Sequence, residues 1–276
     1  MKFKKNNQIS DKNFLRLTGI KHTTFNKMLE ILKIEELKKR FRRGRTNKLS
    51  LENRILMTLE YWKEYRTYFH IAKSYDISES SCYRNIKWIE DTLIKHPNFQ
   101  QLTGQKSLLK DYFKDKTVII DVTEKPNPTP KKRQKQHYSG KKKKHTIKTQ
   151  VIIEKDSKKI ISSDFSYGKN HDFKILKDSK IKFLPETTVL VDLGYQGIQK
   201  INHNVLIPKR KSKKNPLNKE EKQNNERISK MRIVIENVFA ILKKFKIISE
   251  KYRNRRKRFA LRFNLIASIY NLQLLV

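Results

Sequence analysis

Two short apolar runs, each closed by an aspartate, limit the folds open to this chain more than any other feature. Val118-Ile119-Ile120 leads into Asp121, and Val189-Leu190-Val191 leads into Asp192. Near-continuous apolar runs of this kind suit strands covered on both faces, as in a sheet flanked by helices. A carboxylate at the end of such a strand sits where open α/β sheets leave room for ligands. Gly194 and Gly197 permit a sharp turn beyond the second strand. Either aspartate alone is an ordinary polar strand terminus, so the weight of the pair depends on its surroundings.

Strand-like patterns cover residues 116–123, 145–154 and 158–167, then a helix lies near 171–180 and a further strand at 187–192. A short strand at Val205-Leu206-Ile207 and a basic loop over 208–222 come next. Two helices, about 222–246 and 255–275, close the chain. Three strands, a helix, a strand and then helices predict an α/β fold of ribonuclease-H-like order, a mixed-sheet domain over residues 116–276. In that order the first and fourth strands are neighbours, which brings Asp121 and Asp192 together.

A third acid lies on the first of the closing helices. Arg232, Glu236 and Lys243 fall on one face at ~100° per residue, beside a stripe of Ile228, Met231, Ile235, Val238, Leu242 and Phe245. The same spacing also suits a plain surface ion pair between Arg232 and Glu236, worth a few tenths of a kcal/mol. If the three carboxylates meet at ~5 Å, each pair repels by ~3 kcal/mol at an effective dielectric near 20. Oxygen-only ligands under that repulsion favour Mg²⁺ or Mn²⁺.

Residues 1–100 read as helices without a strand-like segment, and residues 101–115 as a linker. Ser50 precedes a helix carrying Ile55, Leu56, Leu59 and Trp62; a short helix spans about 68–75. Ser78 caps a third, with Cys82, Ile86, Ile89 and Leu93 as its apolar stripe. This is the pattern of an all-α helix-turn-helix domain at about 50–94, with Ser80, Tyr83, Arg84 and Lys87 facing outward toward DNA. An ordinary three-helix bundle fits the spacing equally well; the basic flank at 38–45 favours DNA.

The charge balance names the partner class. Lys and Arg number 65 against 27 Asp and Glu, a formal net charge of +38. A compact chain so charged repels itself unless a polyanion relieves the field. Residues 125–148 hold Lys141, Lys142, Lys143, Lys144 and Lys148 and no acid, which suits a phosphate backbone. The basic loop at 209–214 and the cluster at 253–258 add to this. No run of about 18 apolar residues exists, and the N-terminus lacks a signal-peptide core. The single Cys82 excludes an intramolecular disulfide and a multi-cysteine zinc site. An intracellular nucleic-acid protein is expected, without membrane or small-molecule substrate.

Several stretches together carry a family resemblance: Ile119-Ile120-Asp121-Val122-Thr123-Glu124-Lys125-Pro126, His137 to Lys148, Val191 to Gly197 and Arg232 to Lys243. From about residue 45 onward they resemble, in order, the DDE transposases of bacterial IS5-type insertion sequences, whose catalytic domain Harbinger-type transposases share. The resemblance implies that Asp121, Asp192 and Glu236 are a catalytic triad holding two Mg²⁺ or Mn²⁺ ions. It implies double-stranded DNA as partner (terminal inverted repeats and target), a homodimer or larger assembly on DNA, and a place at the bacterial nucleoid. Arg232 and Lys243 match the family's basic positions on the third-acid helix, as DNA contacts, while Ser229 stands where the signature has a tyrosine. His171 and Asp172 match a further segment that supports the site, although a helix cap by Asn170 or Asp172 fits as well. The alternative is an inactive or repurposed DNA-binding descendant. A basic RNA-associated protein explains the charge but not the acids, and aromatic RNA-binding signatures are missing.

Overall fold

The computed structural model describes residues 9–40, 47–100, 102, 104–130, 132, 134–212, 216–254 and 258–275. Of the basic segments named above, Arg42, Arg43, Arg45, Lys131, Arg133, Lys213, Lys214, Arg255, Arg256 and Lys257 lie outside the described residues. Helices α1 (Asp11–Thr18), α2 (His22–Arg40), α3 (Leu51–Lys63), α4 (Tyr68–Tyr75) and α5 (Glu79–Leu93) come first. Then follow β1 (Thr117–Pro126), α6 (Gln134–His137), β2 (Tyr138–Ser139), β3 (Lys144–Glu154), β4 (Ile160–Tyr167) and α7 (Asp172–Asp178). The chain continues through β5 (Thr188–Leu190), β6 (Val205–Leu206), α8 (Lys219–Lys243), α9 (Lys246–Ser249) and α10 (Phe259–Leu274).

Two compact units result, one within Met1–Gln101, Leu242–Glu250 and Arg256–Val276, the other within Leu102–Ile241 and Lys251–Arg255. The sequence pattern assigns everything after residue 116 to the α/β region. In the structure α10 instead packs with α2, α5 and the 3₁₀ turn Pro97–Phe99. Its side chains explain this: Phe259, Phe263, Leu265, Ile266 and Ile269 are buried around most of the helix, which is a core helix rather than a surface one.

In the helical unit local chemistry sets the boundaries. Ser50, Thr67 and Ser78 cap α3, α4 and α5 by accepting bonds from the backbone N–H of Asn53, His70 and Ser81. α4 stops at Asp76 in a left-handed conformation (φ 53°). The turn over Asp76–Ser78 then starts α5, whose stripe of Cys82, Ile86, Ile89 and Leu93 is buried. α1 ends at Gly19 with φ +82°, where a Cβ would also lie 2.7 Å from the Phe245 ring. Both the backbone and the packing therefore require glycine there.

The α/β unit is built on one sheet with the order β4-β3-β1-β5-β6, β2 pairing with β3. β3 runs antiparallel to β1 and β4, whereas β5 runs parallel to β1 and β6 parallel to β5. This is the ribonuclease-H-like order, with the first and fourth long strands adjacent. Val118, Ile120, Ile152, Val189 and Val191 centre its core. Residues 105–113, read as linker, form two 3₁₀ turns that put Leu108 and Phe113 into that core. Single turns leave no periodic apolar pattern, so the stretch around Gly104 and Lys106 reads as a linker.

Candidate active site

The pairing of β1 with β5 fixes the geometry. Their register runs Thr117↔Thr188, Val118↔Val189 and Ile119↔Leu190, and pairing stops there. Two residues beyond the last pair, β1 carries Asp121 and the chain leaving β5 carries Asp192. β1 goes on along β3 to Pro126, while the chain after β5 turns into the 3₁₀ turn Leu193–Tyr195. The two strands thus part where their aspartates emerge. Asp192 caps the new turn, its Oδ1 accepting from the Gly194 N–H at 2.8 Å. A Cβ on Gly194 would lie 2.8 Å from Asp172 Oδ2 and 3.0 Å from Asp192 Oδ1. Two carboxylates therefore converge on space that only glycine leaves open.

Asp121 is 17% exposed and incompletely answered. Its Oδ1 accepts from the Val122 N–H at 2.8 Å and its Oδ2 from Arg232 Nη2 at 3.1 Å. Burial pushes its carboxyl up to about 6, opposed by Arg232 and the Val122 N–H and reinforced by Asp192 and Asp172. Tyr195 lies beneath, fully buried, its hydroxyl donating to Gln150 Oε1 at 3.3 Å. Burial, then the negative charges of Asp172, Asp121 and Asp192, raise its phenol well above the ordinary value. One buried ring feels all three acids, so they share one neighbourhood. Gln150 Nε2 and Arg232 Nε are buried there without hydrogen-bond partners.

Asp172 arrives at the start of α7. The helix cap is His171, which makes no side-chain cap bond and is exposed. Asn170 Nδ2 donates to Ser166 Oγ at 2.8 Å, so neither Asn170 nor Asp172 serves as the cap. The Asp172 carboxylate instead accepts from Lys148 Nζ at 2.8 Å. Lys148, expected at a phosphate backbone, thus has its ammonium turned to an acid of the site and also lines the cavity beside it. Lys148 stands opposite Glu124 in the β1–β3 register, is buried, and its ammonium faces Asp172, the Asn170 carbonyl and Glu124. Arg232, also read as a DNA contact, is turned onto Asp121.

Glu236 follows one turn after Arg232 on α8 and is exposed, while Ile228, Ile235, Val238 and Leu242 form the buried stripe their spacing predicts. Lys243 is exposed at the end of the same helix. Among the described residues, no three acidic, histidine or cysteine side chains stand close enough as placed to hold one ion. The donor set nonetheless fits a hard divalent cation. Every nearby acidic ligand is a carboxylate oxygen, and Asp121 lacks full compensation.

Beside the acids opens a cavity of about 920 Å³, floored by Asp172 and Asp192 and edged by Lys135, Lys141, Lys169 and Arg210. Lys141, Lys142, Lys143 and Lys144 are all exposed, as are Ser80, Tyr83, Arg84 and Lys87 on α5. Arg84 is drawn back along its helix, its Nε donating to the Ser80 carbonyl at 3.3 Å. Sequence reasoning missed Glu124, Gln150 and Tyr195. Gln150 had a signal: it stands directly before the apolar run Val151-Ile152-Ile153 of β3, where an amide needs a reason to be buried.

A mixed sheet of this order, with two aspartates where its central parallel strands part, defines a ribonuclease-H-like nuclease domain. Comparison with known proteins agrees. The family model described as DDE superfamily endonuclease matches residues 120–271, and that for the helix-turn-helix of DDE superfamily endonuclease matches residues 47–99. A probable transposase for insertion sequence element IS702 of Microchaete diplosiphon is 43% identical, covering 99% of each chain. A protein of Streptomyces albus G assigned as transposase for insertion sequence element IS112 is 25% identical over 84% of each chain. No solved structure matches. The chain belongs to the DDE superfamily of transposase endonucleases, with a helix-turn-helix ahead of its catalytic domain.

Proposed function

We propose that this enzyme binds the terminal inverted repeats of an insertion sequence, cleaves the element's ends, and joins the 3′-hydroxyls to target DNA. Asp121, Asp192 and Glu236 are the acids assigned to hold Mg²⁺ or Mn²⁺. When bound, such ions activate a water or a DNA 3′-hydroxyl and offset charge on the leaving oxygen. The observation that supports this reading is the β1–β5 register, which ends two residues before Asp121 and Asp192 on neighbouring strands, Asp121 being buried with a single arginine against it.

The chain's own residues supply the rest. Asp192 is held by the Gly194 N–H, so its carboxylate is set before DNA arrives. Lys135, Lys141, Lys169 and Arg210 edge the cavity and attract the flanking phosphates. Arg232 neutralises part of Asp121 in the free protein and lies within reach of a phosphate that displaces it. The exposed side chains of α5 suit a major groove. Joining two ends calls for two active sites, hence a dimer or larger assembly on DNA, working at the nucleoid.

Glu236→Gln is the test. It abolishes Mg²⁺-dependent cleavage, by at least about a hundredfold to a thousandfold, and leaves gel-shift affinity for the terminal repeats within a few-fold. Equal loss of binding and cleavage would show that Glu236 has a structural task instead.

A further inference from the structure

We propose that Lys148 is a positioning residue of this site, holding Asp172 beside Asp192 so that Asp172 presents Oδ2 to a divalent cation. The proposal rests on the reading of Asp121 and Asp192 as a cation centre. A lysine inside a strand is otherwise hard to explain. Thr146, Ile147, Thr149 and Gln150 around it are all buried, and so is Lys148 itself. Burying an ammonium costs several kcal/mol unless its partners are well placed.

The partners are well placed. Nζ donates to the Asn170 carbonyl and to Asp172 Oδ1, each at 2.8 Å, and lies 3.5 Å from Glu124 Oε1. Three acceptors thus face the three N–H bonds of one ammonium. Lys148 takes Asp172 by one oxygen only. The other, Oδ2, approaches the open position above Gly194 that Asp192 Oδ1 also approaches.

Charge counting shows why the hold is needed. Asp121, Asp172, Asp192 and Glu124 bring four carboxylates to this neighbourhood, and the cations paired directly with them are Arg232 and Lys148, the other lysines and Arg210 of the cavity standing further out. The excess of two negative charges is what a divalent cation offsets. Without Lys148, Asp172 would face Asp192 and Asp121 as a third uncompensated acid and would turn away. Outer residues that fix ligating carboxylates in this way typically govern metal affinity by 10- to 100-fold.

The test is Mn²⁺ binding to the full chain without DNA, followed by electron paramagnetic resonance. Lys148→Met weakens Mn²⁺ by about 10- to 100-fold. Asp172→Asn gives a similar loss, and the double variant loses no more than either alone, because both changes break one contact. The salt dependence of DNA affinity stays that of the unaltered chain, since the Lys148 ammonium is committed to Asp172 and the Asn170 carbonyl. Wild-type Mn²⁺ affinity in folded Lys148→Met would overturn the proposal. So would a shallower salt slope with unchanged Mn²⁺ affinity, which would make Lys148 a phosphate contact. If Lys148→Met does not fold, Asp172→Asn decides alone, and unchanged Mn²⁺ affinity in it rejects the proposal. Asp192→Asn separates the two levels: if Mn²⁺ binding survives it, the cation-centre reading itself fails.

Discussion

Glu90 in the helical unit, fully buried, and Asp121 in the α/β unit, half-buried, are acids withdrawn from solvent in a strongly basic chain, yet they are answered in opposite ways. Glu90 Oε1 accepts from Trp62 Nε1 at 3.0 Å and from Arg262 Nε at 2.7 Å, and Oε2 accepts from Arg258 Nε at 2.8 Å. Arg262 is itself held by the Tyr68 hydroxyl at 3.1 Å and lies over the Tyr61 ring. Asp121 has one arginine and one backbone N–H, with two further acids pressing on it. A full complement of donors marks an acid that fixes a structure, here the joining of α10 to α3 and α5. An incomplete one leaves affinity over for a ligand. The count of opposing charges separates the two.

The comparison breaks first at Glu90. Glu90→Ala leaves Arg262 buried without its carboxylate and destabilises the chain by about 3–5 kcal/mol, read from urea unfolding of the full protein. A loss below about 1 kcal/mol would mean the network is no more than a surface-like pair.

Asp121 sharpens the comparison with a smaller effect and a distinctive pH dependence. Its folded-state value, about 6, lies above the ordinary 3.8, so the fold tolerates the neutral carboxyl better than the charged one. The stability tied to the neutral form is fully present below 3.8 and is lost as pH rises through about 6. In the absence of divalent ions, that fall amounts to about 3 kcal/mol and is missing in Asp121→Asn. Identical pH profiles of unfolding for the two proteins would place the carboxyl in ordinary solvent.

Much of this was legible in the sequence because it depends on local patterns. The runs before Asp121 and Asp192 announce buried strands, and the strand order makes them neighbours. The caps at Ser50 and Ser78 and the stripe of α5 follow from residue type and helical spacing alone. Contacts between distant residues were not legible. Lys148 reads as one more lysine in a basic segment until the register sets it opposite Glu124 and the start of α7 brings Asp172 to it. Arg232 likewise reads as a surface base and proves to be Asp121's cation. The place of α10 in the helical unit includes contacts of Glu90 with Arg258 and Arg262, which lie more than a hundred and fifty positions away along the chain. Charge signals a polyanion partner but does not say which lysines stay outside.

The central claim is that Asp121 and Asp192 form a cation centre, and anomalous X-ray scattering from a Mn²⁺-soaked crystal tests it most directly. A manganese peak between the Asp121 and Asp192 carboxylates is predicted, with Glu236 or Asp172 as a further ligand. Manganese bound only elsewhere, with Arg232 still on Asp121, would contradict it.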